Sequence, residues 1–105
     1  MRNRERCSYK WSNIKSVEFE WDERKAALNF RKHGILFPFA TRVFLDENRI
    51  EWIDDRDDYG EIRLITVGIV EGFEIVVVST LRKEHIRIIS AREADPDEIE
   101  AYWNR

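Results

Sequence analysis

Two β-branched runs separated by two residues constrain this chain most. Residues 62–70, IRLITVGIV, alternate in polarity, and residues 73–80, FEIVVVST, continue as a still more apolar strand. Glu71 and Gly72 leave room only for a tight turn, so these strands are antiparallel neighbours. Arg82-Lys83-Glu84 makes another turn, and residues 85–91 form a further strand. Residues 50–54 read as a short strand, followed by an acidic, glycine-ended loop, DDRDDYG.

The segments around this β block are helical. Val17, Phe19 and Trp21 alternate with Glu18 and Glu20 as a half-buried strand, after which Asp22 caps a helix running to about Lys32. Ala26, Ala27 and Phe30 are its expected apolar stripe, and Gly34 suits a left-handed C-terminal cap. Pro38 starts a second, short helix with Ala40, Val43 and Phe44 toward the core. Pro96 opens a last helix over residues 97–103, with Ile99, Tyr102 and Trp103 on one side. The expected fold class is α+β: a curved antiparallel sheet of about four strands, packed on one face by two N-terminal helices and a C-terminal helix.

A length of 105 residues fits one domain, over residues 17–105. Residues 1–16 lack apolar periodicity and read as a flexible or partner-dependent arm, with Trp11 and Ile14 able to dock it. The arm is basic without the apolar stretch of a signal peptide, and no apolar run approaches the roughly 18 residues of a spanning helix, so no membrane role is expected. The single cysteine, Cys7, rules out a disulfide framework within one chain and points to the reducing cytoplasm. A net charge of −3 argues against non-specific coating of nucleic acid. That charge is segregated: residues 1–45 carry +5, 46–61 carry −6, 62–92 carry +2 and 93–105 carry −4. Such a chain can meet an anionic substrate on one face and an oppositely charged partner on another.

Residues suited to proton transfer and anion binding fall in two places. Arg31, Lys32 and His33 end the first helix at the negative pole of its dipole, although basic residues before a glycine are also ordinary helix-end chemistry. On the sheet, Glu61 and Arg63 share one strand face, and His85 and Arg87 share a face of a later strand. If those faces coincide, acid–base groups and two bidentate donors converge; a solvated strand face would display the same residues. Arg92 joins them only if its strand ends or bulges after Arg87. Trp21, Trp52 and Tyr59 are candidates for stacking on bases. The aspartates at 54, 55, 57 and 58 read as a solvated hairpin loop, and two histidines 52 positions apart do not suggest zinc.

Residues 19–35, FEWDERKAALNFRKHGI, resemble the opening signature of the BrnT toxins, including Asn29-x-x-Lys32-His33-Gly34. The likeness continues through Phe37, Ala40-x-x-Val43-Phe44, Asp58-Tyr59-Gly60-Glu61-x-Arg63, Val67-Gly68, Thr80 and the run from Ile86 to Arg92, covering residues 17–103. It implies a RelE-like fold and a type II toxin–antitoxin endoribonuclease that cuts RNA without a metal or cofactor. It further implies neutralisation by a BrnA-like antitoxin, usually as a complex of two copies of each protein, with a homodimer as a further option. Lys32, His33, Glu61, Arg63, Thr80, Arg87 and Arg92 fall on motif positions; His85 does not. On this reading His33, Lys32, Glu61, Arg63 and Arg87 are catalytic, and Arg31, Tyr59, Thr80, His85 and Arg92 bind RNA. Glu61 or His33 is the base, and His33 or His85 the acid. The alternative is a non-enzymatic module that binds a partner protein or DNA.

Overall fold

The computed structural model describes residues 18–104; the N-terminal arm, with Cys7, Trp11 and Ile14, lies outside them, as does Val17 of the expected first strand. Strand β1 (Glu18–Glu20) leads into helix α1 (Glu23–His33), a one-turn helix α2 (Phe37–Ala40) and a 3-10 segment (Thr41–Leu45). Strands β2 (Ile50–Ile53), β3 (Arg63–Val70), β4 (Phe73–Arg82) and β5 (His85–Glu93) follow, and helix α3 (Pro96–Trp103) closes the series. The α+β class holds.

Local chemistry sets the boundaries. Asp22 caps α1, its carboxylate accepting from the amides of Arg24 at 2.8 Å and Lys25 at 3.1 Å, and Gly34 ends it at φ 75°. Asp95 and Glu98 form a reciprocal capping box at the start of α3. Glu71 and Gly72 turn with positive φ between β3 and β4, as do Lys83 and Glu84 between β4 and β5, which suits two-residue hairpins.

The sheet differs from the expectation in two ways. It has five strands in the order β1-β5-β4-β3-β2, and β1 lies parallel to β5 at one edge, so the sheet is mixed, not antiparallel. Short turns announce the hairpins, but nothing local announces a pairing between residues more than sixty positions apart. Helices also cover both faces. Phe37, Ala40, Val43 and Phe44 pack with Val70, Ile75, Val77, Ile86 and Ile88 on one side. Tyr102 of α3 packs with Ile65, Val67, Val76 and Val78 on the other. The uninterrupted apolar run of β4 reflects burial on both sides. The buried residue of α1 is Asn29, beside half-buried Ala26; Ala27 and Phe30 are exposed, so the expected stripe is displaced by one position.

Asn29 explains why a polar residue takes that place. β1 covers only the first three residues of β5, leaving the backbone of Ala91 on an open edge. The Asn29 side chain donates to Ala91 O at 2.9 Å and accepts from Ala91 N at 3.1 Å, standing in for a neighbouring strand. At the other side of the sheet Asp46 plays a similar part. Its Oδ2 accepts from the amide of Ile69 at 2.8 Å and from the Tyr102 hydroxyl at 2.6 Å, joining the two helical layers around the end of β3.

Candidate active site

The strand register brings the sheet candidates together. Arg63 and Arg87 both stand opposite Thr80, from β3 and β5 respectively, and Arg87 in turn pairs with Glu20 of β1. One row thus reads Arg63, Thr80, Arg87, Glu20 across four strands, with the arginines two strand spacings, roughly 10 Å, apart. The next row carries Arg82, His85 and Glu18, and Glu61 leans toward it from the start of β3. Because Ile86 and Ile88 face the α1–α2 layer, Arg87 and His85 face the other way, alongside Thr80 and Arg63.

Each charged group in the patch is held by another. Arg63 Nε donates to Glu61 Oε2 at 2.9 Å, and its guanidinium lies over the Tyr59 ring, 4.2 Å from the centroid. Arg82 reaches Glu61 Oε1 at 3.8 Å. Arg87 donates to Glu20 Oε2 at 3.0 Å, while Glu20 Oε1 lies 3.1 Å from His85 Nδ1. The bond to His85, then the one to Arg87, holds the Glu20 carboxyl below its ordinary range. Side-chain exposures of 22% for Arg63, 28% for Glu61, 25% for Arg87 and 43% for His85 leave all four open to a ligand from solvent. Partly exposed pairs of this kind are worth about 0–1 kcal/mol each, so a phosphate can replace a carboxylate at little cost.

Thr80 is buried, and its hydroxyl donates to Ile62 O at 2.7 Å, anchoring the entry of β3 beside the arginines. Tyr59 is positioned from the acidic loop: its hydroxyl donates to Asp54 Oδ2 at 3.1 Å. Asp54 is itself buried and gripped through both oxygens by Arg56 at 2.7 Å, so it serves as the loop's anchor. That grip, with desolvation opposing it, pulls the Asp54 carboxyl down to about 2. Among the described residues no three or more His, Cys, Asp or Glu groups are arranged to hold a metal ion. Trp21 packs edge-on against Phe37 at 5.9 Å, and Trp52 lies on the opposite edge strand, β2.

Arg92 returns to the patch side because β5 bulges opposite Val78 and Ser79, the condition its spacing required. It stands four residues along from the Thr80 row, opposite Val76, and is clamped by Glu98 of α3 through two bonds at 2.7 and 2.8 Å, which raise its pKa. Arg31, Lys32 and His33 do not reach the patch. Asn29 fixes α1 to Ala91, four residues beyond Arg87 or roughly 13 Å along the strand, and Lys32 and His33 lie up to a further turn on. Gly34, which follows them, lines a cleft with Phe73, Ile75 and Glu93 at the other end of the sheet.

Sequence reasoning missed Glu20 and Arg82. Arg82 shares its strand parity with Thr80, a usable signal once β4 runs past residue 80; Glu20 depends on the β1–β5 pairing, which has no local signal.

Two acid–base candidates and three arginines at one end of a sheet face, partly exposed to solvent, form a surface able to bind a phosphodiester and move protons around it. None of the curated proteins compared with the chain matches it. A family model described as "Ribonuclease toxin, BrnT, of type II toxin-antitoxin system" matches residues 21–98, most of the chain. The chain therefore belongs to the BrnT family of ribonuclease toxins of type II toxin–antitoxin systems.

Proposed function

We propose that the patch built from Glu61, Arg63, Arg87 and His85 cleaves RNA by metal-independent transesterification. The supporting observation is the shared row of Arg63, Thr80 and Arg87, which puts two guanidinium-bearing side chains on one sheet face, two strand spacings apart. Arg63 and Arg87 bind the scissile phosphate and stabilise the charge that grows on its non-bridging oxygens. Glu61 takes the 2′-hydroxyl proton, the 2′-oxygen attacks phosphorus, and the bond to the 5′-oxygen breaks as His85 Nε2 gives that oxygen a proton. The products are a 2′,3′-cyclic phosphate and a free 5′-hydroxyl. Of the two candidate bases and acids, Glu61 and His85 share the patch, whereas His33 lies at the far end of the sheet. Arg31, Lys32, His33 and Arg92 then hold flanking RNA.

The family match supports a protein antitoxin as partner. In our reading this is a BrnA-like protein acting in the cytoplasm, in a complex with two copies of each chain. The segregated charge of the sequence supports separate surfaces for RNA and for that partner.

Incubation of the purified protein with a defined RNA in excess EDTA, beside an Arg63→Ala variant, tests the proposal. Cleavage by the wild type and loss in the variant is the expected result. Two folded proteins that both leave the RNA intact in EDTA overturn it.

A further inference from the structure

Among the described residues, Glu20 is the one carboxylate that touches both an arginine and a histidine of the patch. The β1–β5 register places Glu18 opposite His85 and Glu20 opposite Arg87, so Glu20 spans the two rows, one oxygen on each neighbour. Its side chain is 30% exposed, while Glu18 is 75% exposed. Glu18 Oε1 lies 3.4 Å from His85 Nε2, but so exposed a side chain can swing aside for a ligand. The imidazole is thus held firmly at Nδ1 and loosely at Nε2.

We propose that Glu20 is a positioning residue for His85 in the cleavage reaction. It fixes a proton on Nδ1 and aims Nε2 at the 5′-oxygen of the bound RNA. The inference rests on the ribonuclease reading given above. In the doubly protonated imidazole, Nε2–H is the proton that leaves with the 5′-oxygen as the phosphorus–oxygen bond breaks. The neutral ring left behind carries its proton on Nδ1, bonded to the Glu20 carboxylate, so the product state keeps its hydrogen bond. Glu20 also holds Arg87 in the adjacent row, which couples phosphate binding to the orientation of the acid. The same carboxylate therefore sets the spacing of two groups that act on one phosphate.

The test compares Glu20→Val, His85→Gln and the double variant with the wild type. Valine is chosen because it suits a strand and removes the acceptor; Glu20→Gln, which keeps an acceptor, is the second variant should β1 detach. His85→Gln is expected to lower kcat by about 10²–10⁴-fold, the usual contribution of a general acid. Glu20→Val should lower it by about 10-fold or more, and the double variant should lose less than the product of the two single losses, the remainder reflecting Arg87. Nitrogen-15 NMR of the imidazoles, only two in the chain, should place the neutral His85 proton on Nδ1 in the wild type and shift it toward Nε2 in Glu20→Val. Losses that multiply in the double variant, or an unchanged tautomer, overturn the positioning role while leaving the ribonuclease reading standing. A wild type that cuts no RNA overturns the ribonuclease reading itself, a separate result.

Discussion

Arg63 and Arg87 are second neighbours across the sheet, each paired with Thr80 of the strand between them. Their separation is fixed by the backbone ladder and not by loop geometry, which is what a preorganised phosphate clamp requires. Substituting either by alanine should lower cleavage by about 10²–10³-fold, the cost of removing one donor to a developing oxyanion. The double variant should lose less than the product of the two, since both serve one phosphate. Single-turnover cleavage of a defined RNA measures this, and fully multiplicative losses would argue for two separate phosphate sites.

The two basic clusters can be told apart by kinetics. With the chemistry on the sheet patch, His33→Gln should change KM and leave kcat within about tenfold, whereas Arg63→Ala should lower kcat. The reverse pattern would move the reaction to the end of α1.

Asn29→Ala should destabilise the fold by about 2–3 kcal/mol, because it leaves the buried Ala91 amide and carbonyl without the partners Asn29 provides. Denaturant unfolding reads this directly. A cost under about 0.5 kcal/mol would mean that water replaces the side chain.

Gly68 permits a close approach of the 3-10 segment to the sheet. A Cβ there would lie 2.7 Å from Val43 Cγ2 and 3.1 Å from Asp46 Oδ2. Gly68→Ala should therefore cost about 1–3 kcal/mol through overpacking, visible as a lowered melting temperature. An unchanged Tm would show that the 3-10 segment moves freely.

Asp54 gives the loop before β3 a pH dependence. Its carboxyl titrates at about 2 in the folded chain, against an ordinary value of 3.8, mainly because Arg56 binds its ionised form. A depressed carboxylate stabilises the fold above its unfolded pKa, and that stability is lost as pH falls from about 4 to 2. Arg56 is largely exposed, so the contribution is about 1–2 kcal/mol. Asp54→Asn should be less stable than the wild type by this amount at pH 7, with the gap closing near pH 2. A gap that persists at pH 2 would assign the loss to packing.

The sequence by itself determined the elements whose causes are local. Asp22 and Gly34 bound α1, Asp95 and Glu98 start α3, and two turns bound the β3–β4–β5 meander, because caps and tight turns depend on neighbouring residues. Period-two spacing also placed Glu61 with Arg63 and His85 with Arg87 on their respective strands. Whether those pairs met was a question of register, and only the tertiary structure answered it, through the shared partner Thr80. Tertiary structure alone likewise set β1 parallel to β5 and gave Glu20 its two partners. It laid α3 across the second face and held Lys32 and His33 away from the sheet arginines. These outcomes depend on contacts between residues tens of positions apart, whose pairing is chosen by the burial of whole surfaces and leaves no mark on a short window of sequence.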